Sequence, residues 1–185
     1  MLGGAVVAAL LGALGGGAPI PTAIGVGPHY RIAAASASVL RGAPVGRFRC
    51  LRLSVPRGLA HVELFANRRV LLVPAGVGMS PPLTRDGAYV TGSRCSYAVR
   101  TSAPTGVVEV ARGSGATIGD LFRIWGQPLS RTRLAGFRGR VGAYVAGSPW
   151  RGDVRAIPLA RHAQIVLEVG GYVRPHPFFL FGTRG

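Results

Sequence analysis

Four histidines and six carboxylates, with two cysteines, are the main side chains of this sequence that could hold a metal or move a proton. His29, His61, His162 and His176 never fall as H-x-H or H-x-x-x-H, the spacings that set two imidazoles on one face of a strand or helix. His61 and His162 each stand at the start of an alternating apolar segment, so the two can approach each other across a sheet. A remote carboxylate such as Glu109 would then complete a site for copper or zinc. The simpler reading is that each histidine hydrogen-bonds alone at a strand end. Glycoside hydrolysis needs two facing carboxylates, and here they would have to come from remote pairs, Glu109 with Asp120 or Glu63 with Glu168. Acids this sparse among arginines form ion pairs instead. No serine sits in a G-x-S-x-G elbow, and the glycine-rich ARGSGATIGD (111–120) lacks both the Lys of a P-loop and the G-x-G-x-x-G order. No catalytic residue is assigned.

The elements that would position these residues are short. HVELFANRRVLLVPAG reads as two strands around Asn67-Arg68, where Asn tolerates the left-handed conformation of a tight turn. FRCLRLSV, SYAVRT and GVVEVAR alternate as further strands, the last two around Ala103-Pro104-Thr105. Thr117 stands three residues before Asp120 in a capping-box arrangement, and Ile118, Leu121, Phe122 and Trp125 follow at i, i+3, i+4 and i+7. That spacing predicts a short helix with one buried face, stopped by Gly126 and Pro128. RVGAYVAG and AQIVLEVG close the domain as strands. The pattern predicts a β-dominated α+β fold, an antiparallel or mixed sheet packed on one short helix in a β-grasp-like manner, with an all-β sandwich as the alternative.

Residues 1–18 contain an uncharged apolar run, read as an export signal or N-terminal anchor, although no positively charged region precedes it. Residues 19–46, rich in Pro, Gly and Ala, read as a linker, and residues 47–185 as one domain. Cys50 and Cys95 in an exported protein most simply form one disulfide, adding about 3–4 kcal/mol in the chain-entropy account. Without export, two reduced core cysteines are the alternative.

The net charge of +16 invites a nucleic-acid reading. All 22 basic residues are Arg, however, dispersed without a run of five and without the aromatic-interleaved motif of an RNA-binding sheet. A generally cationic surface with weak affinity for anionic envelope polymers or lipid fits better than specific nucleic-acid binding.

From Arg49 to about Gly182 the chain resembles an uncharacterised family of secreted or membrane-anchored bacterial proteins. The blocks that carry the resemblance are AHVELFANRRVLLVPAGVGM, CSYAVRTSAPTGVVEVA, ATIGDLFRIWGQPLS and GDVRAIPLARHAQIVLEVG. Proteins of that family open the first block with alternating histidines and carry His-Thr-His-Asp in the cysteine block, a plausible metal or acid–base centre. Here only His61 remains in the first block, and Arg100-Thr101-Ser102-Ala103 stands at the second place. Arg presents donors only and cannot ligate a cation. The resemblance therefore implies a lost histidine site, and its matching cysteine positions favour the Cys50–Cys95 disulfide. Together these features describe a non-enzymatic extracytoplasmic binding or structural domain without a cofactor. The alternatives are a copper or zinc protein using His61, His162 and Glu109, and a nonspecific polyanion binder.

Overall fold

The apolar residues at even positions of HVELFANRR and at alternate positions of QIVLEV must share one buried face, and that requirement sets the sheet. The computed structural model describes residues 30–32 and 35–182; the segment 1–18, the first part of the expected linker and His29 lie outside them. In chain order the elements are β1 (Tyr30–Arg31), α1 (Ala37–Arg41), β2 (Arg57–Ala66), β3 (Arg69–Leu72), β4 (Met79–Asp86), β5 (Tyr89–Ser96), β6 (Val99–Arg100) and β7 (Val107–Ala111). They continue as α2 (Ile118–Trp125), β8 (Leu129–Ser130), β9 (Arg133–Leu134), β10 (Phe137–Arg138), β11 (Val141–Val145), β12 (Ser148–Pro149), a single 3₁₀ turn at Val154–Ala156, and β13 (Gln164–Val169). The fold is the β-dominated α+β arrangement, a mixed sheet with a short helix.

The main sheet runs β1-β3-β2-β13-β11-β12, with β7 paired to β2 and β6 to β7. β2 and β13 are parallel from His61–Gln164 to Ala66–Val169. On its other edge β2 is shared: β7 pairs antiparallel with residues 57–61, and β3 with Phe65–Ala66. The β2–β3 turn is the expected hairpin, with Asn67 and Arg68 both at positive φ (52° and 63°), as a two-residue type I′ turn requires.

Ala60, Val62 and Leu64 of β2, Val108 and Val110 of β7, and Ile165 and Leu167 of β13 form one core with the helix. Ile118, Leu121, Phe122 and Trp125 are at most 1 % exposed, and each such side chain contributes about 1.5–3 kcal/mol over remaining in water. Both halves of the Thr117–Asp120 capping box are made, and Gly126 ends the helix at φ 79°. Packing outweighs the cap, worth about 1 kcal/mol, but the cap decides where the helix starts.

Two expectations need correction. Residues 30–46 are not all linker, because β1 joins β3 and α1 buries Val39, while the Tyr97 hydroxyl donates to the Ala43 carbonyl. A five-residue helix carries too little periodicity to stand out in an Ala/Ser-rich stretch. FRCLRLSV is not a regular strand either. It makes isolated bridges, Val45–Phe48 and Leu51–Ser96, and Leu53 is 80 % exposed. The disulfide between Cys50 and Cys95, sequence separation 45, pins the segment to the end of β5. The β4–β5 hairpin carries no expectation from sequence, since Pro81 and Pro82 break the strand pattern and are tolerated only because this is a separate two-stranded ribbon.

The closed disulfide fits an oxidising compartment. Among the described residues no helix is long and apolar enough to cross a membrane. A Cys50→Ser/Cys95→Ser protein is expected to lose about 3–4 kcal/mol in urea unfolding, and reductant is expected to lower the midpoint of the parent chain but not of the double variant.

Candidate functional site

Odd-numbered residues of β2 point away from the helix, and two of them, His61 and Glu63, carry the chemistry of that outer face. His61 is buried and faces Gln164 across the parallel ladder. Its Nδ1 lies 2.7 Å from Gln164 Oε1, and its Nε2 lies 3.1 Å from the Thr105 carbonyl. Both nitrogens thus face oxygens, while the buried Gln164 Nε2 has no partner. Reversing the amide, which leaves the side-chain shape unchanged, resolves part of this. Gln164 Nε2 then donates to Nδ1, and His61 Nε2–H donates to Thr105. Gly106 allows the approach: at φ +80°, a Cβ there would meet the Val62 carbonyl at 2.6 Å and His61 Nε2 at 3.0 Å.

Glu63 Oε1 is 3.7 Å from His61 Nδ1, too far for a hydrogen bond, and Glu63 Oε2 accepts from His176 Nδ1 at 2.8 Å. His176 belongs to a C-terminal strap over the outer face. The Val173 amide donates to Glu168 Oε2 at 2.8 Å, Phe179 stacks on His61 with centroids 3.7 Å apart and planes 15° apart, and Phe181 lies on His162 at 4.7 Å. Phe179 and Phe181 meet edge-on at 5.0 Å. Between β3 and the Thr105–Gly106 turn, where the partners of β2 part, a cleft of about 70 Å³ remains, with Phe179 in its wall.

The residues expected to share a metal do not share one point. His162 is exposed in the turn before β13, at φ 61°, and stacks under Phe181, whereas Gln164 stands opposite His61. Glu109 lies one row along the same face, opposite Leu59, and its Oε2 binds Arg100 Nε at 2.8 Å and Nη2 at 2.7 Å. Burial, and then repulsion from Arg100, hold the neighbouring Arg57 guanidinium below its usual value. Among the described residues no three His, Cys, Asp or Glu side chains are grouped to hold a metal ion. The carboxylate pairs are also apart. Asp120 caps α2 and binds Arg123 and Arg47, while Glu168 is held by Tyr144 and Val173. Thr101, next to Arg100, is fully buried between the Pro74 carbonyl and the Val77 amide.

Gln164 and Phe179 as partners of His61, and His176 as the partner of the neighbouring Glu63, carry no signal in the sequence. Glu63 was readable, since i and i+2 share a strand face. Gln164 and His176 join from more than a hundred residues away with no local signature.

No family model, curated protein or solved structure matches the chain.

Further along the outer face, the Tyr144 hydroxyl donates to Glu168 Oε1 at 2.9 Å. Partial burial, followed by the Glu168 hydrogen bond and charge, pushes this phenol up to about 12. Above pH 10 an unfolded chain releases this proton while the folded chain keeps it, so the contribution of Tyr144 to stability declines from pH 10 to about 12. Glu168→Gln is expected to return the phenol toward 10, read from phenolate absorbance in an alkaline titration. For the strap, Phe179→Ala is expected to cost about 1 kcal/mol and to speed modification of His61 by diethyl pyrocarbonate severalfold. An unchanged rate would mean that Phe179 does not shield the ring.

Proposed function

We propose that this chain is a non-enzymatic binding or structural domain working outside the cytoplasm, exported or anchored through its apolar N-terminal segment, with a histidine centre that no longer takes a ligand. One observation carries this reading: both His61 nitrogens and the Glu63 carboxylate are engaged inside the chain and lie under the strap. A copper or zinc ion on His61 would have to displace Gln164 or Thr105, and Glu109 is bound to Arg100, so the donor set does not suit either metal. The family resemblance, with Arg100 where that family carries a histidine, points the same way. The disulfide supports an oxidising location.

Equilibrium dialysis of the oxidised protein against zinc and copper is expected to give no stoichiometric binding. One equivalent of either metal, lost in His61→Ala, would replace this reading with the metal-protein one. Fusing the full chain to a reporter active only after export tests the compartment, and an inactive fusion rejects it.

A further inference from the structure

The strap leaves one flank of the outer face uncovered. There, between the β11–β12 hairpin and the chain leaving β13, lies an open groove of about 820 Å³. Tyr144, Trp150 and Tyr172 line it together with Arg131, Arg140 and Arg151. Two of its aromatic rings are tethered by hydrogen bonds. The Trp150 indole N–H donates to the Asp153 carbonyl at 3.1 Å, Tyr144 is tied to Glu168, and Tyr172, 61 % exposed, meets Tyr144 edge-on with centroids 6.3 Å apart. Gly142 keeps the floor flat, because a Cβ there would strike the Glu168 side chain at 2.9 Å.

The charges of the groove are unbalanced. Glu168 is its one carboxylate, and both its oxygens already accept hydrogen bonds. Among the described residues Arg140 and Arg151 form no ion pair, and Arg131 lies near Asp153, whose carboxylate Arg155 already holds at 2.8 Å. Three exposed guanidiniums beside aromatic rings have the chemistry to recognise a strand that alternates flat apolar faces with acid groups. The C–H-rich faces of sugar rings pack on Tyr and Trp, and carboxylates fit the guanidinium fork. Nucleic acid shares the charge and the stacking, but the disulfide fits a compartment outside the cytoplasm, where acidic polysaccharide is the abundant polymer of this kind.

We propose that the groove beside β11 binds an acidic polysaccharide, with Tyr172 and Trp150 packing on sugar rings and Arg131, Arg140 and Arg151 engaging the acid groups. This rests on the extracytoplasmic binding role proposed above and supplies its ligand class.

The test is calorimetric titration of the full oxidised chain with polygalacturonate oligosaccharides. Parent, Tyr172→Ala, Arg140→Gln/Arg151→Gln and a charge-matched control, Arg41→Gln/Arg52→Gln, would be compared at low and high salt, with circular dichroism confirming that each is folded. The expected result is about tenfold weaker binding for both groove variants, no change in the control, and steep weakening by salt. Equal losses in groove and control variants would overturn the site, since diffuse charge would then explain the binding. Tighter binding of a single-stranded oligodeoxynucleotide would overturn the ligand class, and no polygalacturonate binding by the parent would overturn the proposal outright. An inactive export fusion together with groove-dependent polygalacturonate binding would reject the compartment and leave the groove in place.

Discussion

Pairing of β2 along both edges is the constraint on which the rest of the molecule depends. Its parallel ladder with β13 joins residues 61 and 164, and every residue of β13 is buried on one face or the other. A strand buried on both faces cannot leave polar side chains to water, yet β13 carries Gln164 and Glu168. Each therefore draws in partners: Gln164 meets His61 on β2, and Glu168 meets Tyr144 on β11 and the Val173 amide. The burial of β13 is thus the reason the chain beyond it folds back over the outer face instead of running into solvent.

The other edge of β2 has an opposite effect. β7 and β3 occupy it in succession and part between residues 61 and 65. That gap puts the side of β2 next to the Thr105–Gly106 turn and makes the cleft beside His61. A histidine there without the strap would present a ring face to solvent. Phe179 takes that face, and His176 satisfies the carboxylate two residues along. The alternation of RPHPFFLF carries this out: Phe179 and Phe181 turn inward while Phe178 and Leu180 stay exposed.

What sequence could reveal follows the range of each interaction. The helix face, its capping box, the Asn67-Arg68 hairpin and the closing strands depend on neighbours within a few residues, and all were legible. FRCLRLSV alternates without joining a sheet: Phe48 reaches the core while Leu51 and Leu53 are exposed, and the segment is held by a disulfide and two isolated bridges. Candidate site residues fared unevenly for the same reason. His61 stood out by type, but its environment comes from Gln164, Thr105 and Phe179, set by parallel pairing and a returning terminus that leave no periodic trace. Glu109, a remote carboxylate in the sequence, is held by Arg100 across the β6–β7 pair and does not reach His61.

Scarce acids shape the surface as well as the site. Twenty-two arginines against six carboxylates cannot be neutralised internally, and the resulting self-repulsion opposes the compact state. Four of the six acids sit at junctions: Asp120 starts the helix, Glu109 secures β6 to β7, and Glu63 and Glu168 hold the strap. Compactness then relies on the apolar core and the Cys50–Cys95 link, and most guanidiniums keep their full charge in water. An isolated surface cation attracts any polyanion weakly and without preference. Specificity needs a second, directional contact, and at the β11 flank Arg131, Arg140 and Arg151 lie together with Tyr144, Trp150 and Tyr172. The strap that covers the histidine centre leaves that flank open to solvent.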